Sequence, residues 1–161
     1  MVSIIFGYKD REIIRLTRCL ESLRKQSFRD FEVIIVDYGS STGNAARVKA
    51  LADDYSFCQY VYTDTQGRPW NRAHCLNIGI KLSKREYVFT CDMDMIFPSM
   101  LMQRLVDEID ANSVFHVITN YLDKSFCDWS NIDKYPLEVE NYGGRGILVI
   151  PTKVAVEIGG Y

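Results

Sequence analysis

Three short segments of this chain are almost continuously apolar: Val2-Ser3-Ile4-Ile5-Phe6, Phe31-Glu32-Val33-Ile34-Ile35-Val36 and Tyr87-Val88-Phe89-Thr90-Cys91. A strand with one wet face alternates apolar and polar residues, so runs this unbroken are expected of strands buried on both faces, as in a parallel sheet sandwiched by helices. Between them the period changes. Over residues 11–25, Ile13, Ile14, Leu16, Leu20 and Leu23 recur at helical spacing with charges elsewhere, which predicts an amphipathic helix. Further helices are predicted over 43–52, 71–83 and 98–110, with Pro98 in the first turn, and from Pro151 to the Gly159-Gly160 stop. Further strands are predicted at 58–63, 114–119 and 147–150, while 120–141 loses its periodicity and reads as a long loop or irregular edge. Repeated β-α alternation without a linker or internal repeat predicts one α/β domain over residues 1–161. Its sheet would be doubly wound and mostly parallel, with helices on both faces.

Composition narrows the function classes. Nineteen basic and 21 acidic side chains leave a formal charge of -2, too balanced for a chain whose main partner is a phosphate backbone, so nucleic acid is not an expected partner. Five cysteines, odd in number and widely spaced, make neither a disulfide framework nor a C-x-x-C metal site. The N-terminus lacks the basic and long apolar regions of a secretion signal, and no segment approaches the ~18 apolar residues of a membrane span. The expected location is cytoplasmic, or peripheral to a membrane.

In an open parallel sheet, ligands bind beyond the carboxyl ends of the strands. Asp37 ends the second strand, followed by Gly39 and Ser40, whose small size lets backbone approach a ligand; Asp37 reads equally well as the cap of the next helix. Asp92 and Asp94 follow the fourth strand at i and i+2, so both carboxylates can face one divalent cation or one hydroxyl-rich ligand, and they stand among Met93, Met95, Ile96 and Phe97. Hard oxygen donors in small number suit Mg²⁺ or Mn²⁺ shared with substrate phosphates. Lys9, Arg11, Arg68 and Arg72 also fall at or just after strand ends, where each is either a diphosphate contact or a solvated charge. Tyr8 and Trp70 are candidates for stacking or for the core, and His74 and His116 read as structural.

The run Cys19-Leu20-Glu21-Ser22-Leu23 through Gln26, with Asp30-Phe31-Glu32-Val33-Ile34-Ile35-Val36-Asp37-Tyr38-Gly39-Ser40, resembles the opening of glycosyltransferase family 2. That family has a nucleotide-sugar-binding GT-A fold, which is Rossmann-like, and a D-x-D metal motif. The blocks Trp70-Asn71-Arg72-Ala73-His74-Cys75-Leu76-Asn77-Ile78-Gly79 and Phe89-Thr90-Cys91-Asp92-Met93-Asp94-Met95-Ile96-Phe97-Pro98 look more like its β-1,4-galactosyltransferase and polypeptide N-acetylgalactosaminyltransferase relatives. Tyr142-Gly143-Gly144 and Ile158-Gly159-Gly160-Tyr161 fit the same order.

The resemblance implies a metal-dependent, inverting transfer of a hexose or N-acetylhexosamine from a UDP-sugar to a saccharide or other hydroxyl acceptor. It implies that Tyr8, Lys9, Arg11, Asp37, Gly39, Arg68 and Arg72 line the donor nucleotide, that Asp92 faces the ribose and shares the metal with Asp94, and that Gly143 and Gly144 line the sugar pocket. Mn²⁺ or Mg²⁺ is the implied cofactor. The chain departs from the pattern in having Gly7 for a proline and Tyr38 for a second aspartate. The family's general base follows the segment matching Gly159-Gly160-Tyr161, so it is expected beyond Tyr161, in a chain truncated at its C-terminus. Truncation would expose apolar surface and favour a homo-oligomer. Two other classes fit less of the pattern. One is a non-catalytic nucleotide-sugar-binding module. The other is a haloacid-dehalogenase-like phosphatase, whose D-x-D follows the first strand rather than the fourth.

Overall fold

The computed structural model describes residues 1–119, 122, 129–134 and 147–161. In chain order its elements are β1 (Val2–Tyr8), α1 (Ile13–Arg24), β2 (Phe31–Asp37), α2 (Thr42–Asp53), β3 (Cys58–Tyr62), α3 (Arg72–Leu82), β4 (Tyr87–Cys91), α4 (Leu101–Glu108), β5 (Phe115–His116), a 3-10 segment (Trp129–Lys134), β6 (Leu148–Pro151) and α5 (Thr152–Glu157). The strands form one sheet in the order β3-β2-β1-β4-β6-β5. The first four are parallel, with Val2 opposite both Phe31 and Tyr87.

The continuous apolar runs are buried on both faces, as expected. Alternate residues of β1 divide between two cores. Val2, Ile4, Phe6 and Tyr8 face Leu16, Cys19, Leu20 and Leu23 of α1, Val48 and Ala52 of α2, and Met102 and Leu105 of α4. Ile5 faces the other way and packs with Leu76 and Ile80 of α3 and Ala155 of α5. The helices therefore cover both faces. Gly79 lets α3 approach β1 closely: a Cβ there would come under 3.0 Å from Ile5 Cγ2.

Three features differ from the sequence reading. β6 runs antiparallel to β4, with Leu148 opposite Thr90 and Pro151 opposite Tyr87, because an apolar run specifies burial and not direction. The strand expected at 114–119 shrinks to the two residues of β5, which among the described residues pair with β6 alone; Val114 and Ile118 are exposed. The fourth helix starts at Leu101 rather than Pro98. The Pro98 carbonyl accepts the Leu101 N–H in a turn, and the helix is capped from a distance by Gln26. That fully buried side chain accepts from Met102 N (3.0 Å) through Oε1 and donates to the carbonyls of Phe97 (3.4 Å) and Pro98 (2.8 Å) through Nε2. Beside it, Ser22 Oγ accepts from Phe97 N (3.0 Å). Two side chains at the end of α1 thus satisfy the backbone of the irregular segment after β4.

Candidate functional site

β1 lies at the centre of the sheet, and the connections diverge around it. α1 leads from β1 to β2 over one face, whereas α3 leads from β3 back across the other face to β4. The carboxyl ends of β1, β2 and β4 therefore open onto a topological switch point, the place where such sheets bind ligands.

At the end of β2, Asp37 is fully buried. A buried carboxylate needs donors, and it has two: Ser40 N to Oδ1 (2.9 Å) and the Tyr60 hydroxyl to Oδ2 (2.8 Å). Burial first, and the hydrogen bond to Asp37 second, push the Tyr60 phenol far above its ordinary range. Asp37 thus closes the turn ahead of α2 and is not the cap of that helix, whose N-cap position is Ser41. Gly39 has φ +66, and a Cβ there would meet the backbone of Thr65 and Gln66 under 3.0 Å; its bareness serves the packing of those two loops.

At the end of β1, Tyr8 belongs to the core, 1% exposed, and donates to the Arg11 carbonyl (2.6 Å). Lys9 donates to the Arg68 carbonyl (2.7 Å) and lies 5.4 Å from the Tyr38 ring centroid. Trp70 meets Tyr38 edge-on at 5.9 Å with 46% of its surface exposed, and Tyr38 Oη lies 3.2 Å from His74 Nδ1. A Cβ at Gly7 would fall 2.8 Å from Trp70 Cη2. The two departures from the family pattern, Gly7 and Tyr38, therefore meet at one indole. The side chains of Arg11 and Arg68 are exposed.

At the end of β4, Asp92 and Asp94 stand on either side of buried Met93, exposed by 55% and 43%. Each meets an arginine. Arg72 Nε lies 3.1 Å from Asp92 Oδ1, and Arg15 Nη1 lies 3.5 Å from Asp94 Oδ2. Arg72 opens α3, where Asn71 caps the helix by accepting from His74 N (2.9 Å), so the Asn71-Arg72 pair is a cap followed by a side chain aimed along the strand ends. Arg15 was not read from the sequence. It occupies the first turn of α1, and only its distance from β1 hints that it faces the same end. Asp10 was likewise missed. It has φ +45, and its Oδ1 accepts from Ser41 N, Ser41 Oγ and Asn44 Nδ2 at 3.0, 2.9 and 2.7 Å.

Asp92 and Asp94 are accessible hard-oxygen donors, and no group of three or more His, Cys, Asp or Glu that could hold a metal occurs among the described residues. This donor set does not make a closed protein cage. It fits a Mg²⁺- or Mn²⁺-like ion that keeps most of its positions for water and phosphate. The nearby guanidinium groups suit phosphate oxygens. Gly143 and Gly144 lie outside the described residues. The closing Gly159-Gly160-Tyr161 folds back on α3 and β4: Asn77 Nδ2 donates to the Tyr161 carbonyl (3.0 Å), Asn77 Oδ1 accepts from Tyr161 N (2.8 Å), and Tyr161 Oη lies 2.6 Å from Thr90 Oγ1. Among the described residues, no helix is long and apolar enough to cross a membrane.

Comparison with known proteins bears on these features. The family model described as glycosyl transferase family 2 matches residues 5–161. Glycosyltransferase GlyG of Streptococcus pneumoniae serotype 4 is 26% identical over 106 residues, 66% of this chain and 34% of that protein. Among solved structures, TarS 1-349 of S. aureus in complex with UDP-GlcNAc aligns over 98% of this chain and 47% of its own, with a TM-score of 0.71 and 20% identity. The mannosyltransferase PcManGT from Pyrobaculum calidifontis, in complex with GDP-Man and Mn²⁺, aligns over 99% and 47%, with a TM-score of 0.70 and 15% identity. The chain spans about a third of the length of the curated relatives it matches. The structural neighbours share its α/β fold with a mostly parallel mixed sheet.

Proposed function

The chain belongs to glycosyl transferase family 2, and from that premise we propose that it forms the donor-binding portion of a metal-dependent, inverting glycosyltransferase that uses a UDP-sugar. One observation carries the reading: three carboxylates, Asp37, Asp92 and Asp94, gather at the switch point, the outer two beside Arg72 and Arg15. Acids and guanidinium groups interleaved at one strand edge suit a ligand that brings both a cation and a diphosphate.

In this reading Asp92 and Asp94 hold Mn²⁺ or Mg²⁺, which when bound offsets the charge that develops on the departing nucleoside diphosphate. Arg72 and Arg15 turn from the carboxylates to the phosphate oxygens, and Lys9, Arg11 and Arg68 add positive charge from the other side of the crevice. Asp37 organises the turn against which the nucleoside lies, and Asp92 reaches the ribose. The acceptor oxygen bonds to the anomeric carbon as that carbon's bond to the β-phosphate oxygen breaks, which inverts its configuration, and the acceptor's proton passes to a base. No residue of this chain is assigned that role. We take the donor sugar to be a hexose or N-acetylhexosamine, with galactose or N-acetylgalactosamine favoured by the motif blocks around Asn71-Arg72 and Asp92-Met93-Asp94, and the acceptor to be a saccharide or another hydroxyl compound. Gly143 and Gly144 are proposed to line the sugar.

The test is a calorimetric titration of UDP with and without Mn²⁺, on the wild type and on Asp94→Ala. Binding that requires the metal and weakens at least roughly tenfold in the variant is the expected result, since one of two protein ligands is lost. Metal-independent binding, or none in the wild type, overturns the reading.

A further inference from the structure

The donor-site reading needs two loops from different β-α connections to hold a fixed relation: residues 9–11 after β1 and residues 37–41 after β2. Strand pairing stops with Tyr8 opposite Asp37, so past that pair the sheet no longer sets their spacing. Most of the bonds that do so centre on one residue, Asp10. Asp10 Oδ1 accepts three hydrogen bonds from the opposing loop and the start of α2, from Ser41 N, Ser41 Oγ and Asn44 Nδ2, while Asp10 N donates to Ser40 Oγ (2.9 Å). Ser40 N in turn donates to Asp37.

We propose that Asp10 is a positioning residue for the donor site, a latch that holds Lys9 and Arg11 in place against Asp37. The backbone supports this. Asp10 is the one non-glycine residue with positive φ among the described residues, and such a conformation persists only where surrounding bonds over-determine it. Aspartate and asparagine tolerate it better than other side chains and supply the acceptor the latch uses. The left-handed turn also sets the side chains on either side: Lys9 runs to the Arg68 carbonyl beneath Trp70's neighbour Tyr38, and the Arg11 carbonyl receives Tyr8 Oη. The alternative is a surface turn with no bearing on ligand. The two are separable because the turn and the latch can be removed independently.

The inference rests on the donor-site reading, and its experiment has arms for each. UDP affinity in the presence of Mn²⁺, melting temperature, and amide hydrogen exchange at Ser41 are measured for the wild type, Asp10→Asn, Asp10→Gly and Asp10→Ala. Asparagine keeps both the acceptor and the tolerance of positive φ, so Asp10→Asn should bind UDP within about threefold of the wild type. Glycine relieves the backbone but removes the latch, so Asp10→Gly should melt within a degree or so of the wild type yet bind UDP roughly tenfold more weakly, because a loop once held ready must be ordered at binding. Asp10→Ala should lose both. Unlatching should speed exchange at Ser41 whether or not UDP is present. Wild-type affinity in Asp10→Gly, or failure of Asp10→Asn to rescue, overturns the positioning role. An unbound wild type overturns the donor reading and that role with it, and unchanged exchange at Ser41 overturns the latch itself.

Discussion

Glycine in the middle of a helix costs about 1 kcal/mol relative to alanine, so Gly79→Ala in α3 should stabilise the protein if helix propensity decides. The packing argues for the opposite sign. The new methyl would stand under 3.0 Å from Ile5 Cγ2 and at 3.2 and 3.3 Å from Cγ1 and Cβ. These are the branch atoms of a fully buried residue on the central strand, stiff at χ1. No flexible side-chain tip can swing aside, so α3 must lift from the sheet. Overpacking costs about 1–3 kcal/mol, and contact this close to a stiff branch point belongs in the upper part of that range, so after the propensity gain a net loss of about 1–2 kcal/mol is expected. For a domain of this size that corresponds to a melting temperature lower by roughly 2–8 °C. Because Arg72 opens the same helix, its pairing with Asp92 should loosen as well. The cycle with Ile5→Ala isolates the contact. Ile5→Ala alone should cost about 2–5 kcal/mol for its cavity, and the alanine at 79 should partly fill that cavity, giving a favourable coupling of at least ~1 kcal/mol. Thermal or denaturant melts of the four proteins decide the matter. A rise in melting temperature for Gly79→Ala, or additivity within ~0.5 kcal/mol, would refute the argument.

Two further outcomes are expected. The Tyr55 hydroxyl donates to Glu21 (2.6 Å), and this bond, with Arg24 nearby, holds the Glu21 carboxyl below the 4.5 of a free glutamate; its contribution is present above that pH and is lost as pH falls through the lower folded-state value. Melting temperature followed from neutral into acid should therefore fall less steeply for Glu21→Gln than for the wild type, and parallel curves would count against it. Burial pushes the Cys75 and Cys58 thiols up to about 12 and holds Cys19 and Cys91 well above the ordinary thiol range. Peptide mapping after alkylation at mildly alkaline pH should show these four modified only once the protein is unfolded, and fast labelling of Cys75 in the native state would contradict the buried core.

Much of the architecture is written in local pattern. Val33 to Val36 and Val88 to Phe89 are fully buried, as unbroken apolar runs require, and the Asp92-Met93-Asp94 motif stands where its strand ends. The direction of β6 was not legible, since periodicity carries no polarity and the partner of Leu148 lies 58 residues earlier, at Thr90. The start of α4 was not legible either, because its cap comes from Gln26. At the candidate site, the placement of Asp37, Arg72, Asp92 and Asp94 at strand and helix ends was readable from the sequence. Arg15 was hidden among the charges of an amphipathic helix, and nothing in the letter for Asp10 reveals a positive φ. Gly39 shows the converse: a glycine read as making room for a ligand makes room for the backbone of Thr65 and Gln66.

The bonding of Gln26 and Ser22 to the segment after β4 reaches beyond folding. Four main-chain groups there, Phe97 N, Phe97 O, Pro98 O and Met102 N, are met by two side chains at and just past the end of α1. The acidic loop is therefore a span hung between two abutments, β4 at one end and α1 at the other. Its course is held by residues remote from it in sequence, so exchanges at Met95 or Ile96 change what lines the loop and leave the carboxylates where they are. A single exchange at Gln26 would strand Phe97 O and Met102 N at once, while Pro98 O keeps the Leu101 N–H. The place where this site is free to vary and the place where it is vulnerable are thus some 70 residues apart in the chain.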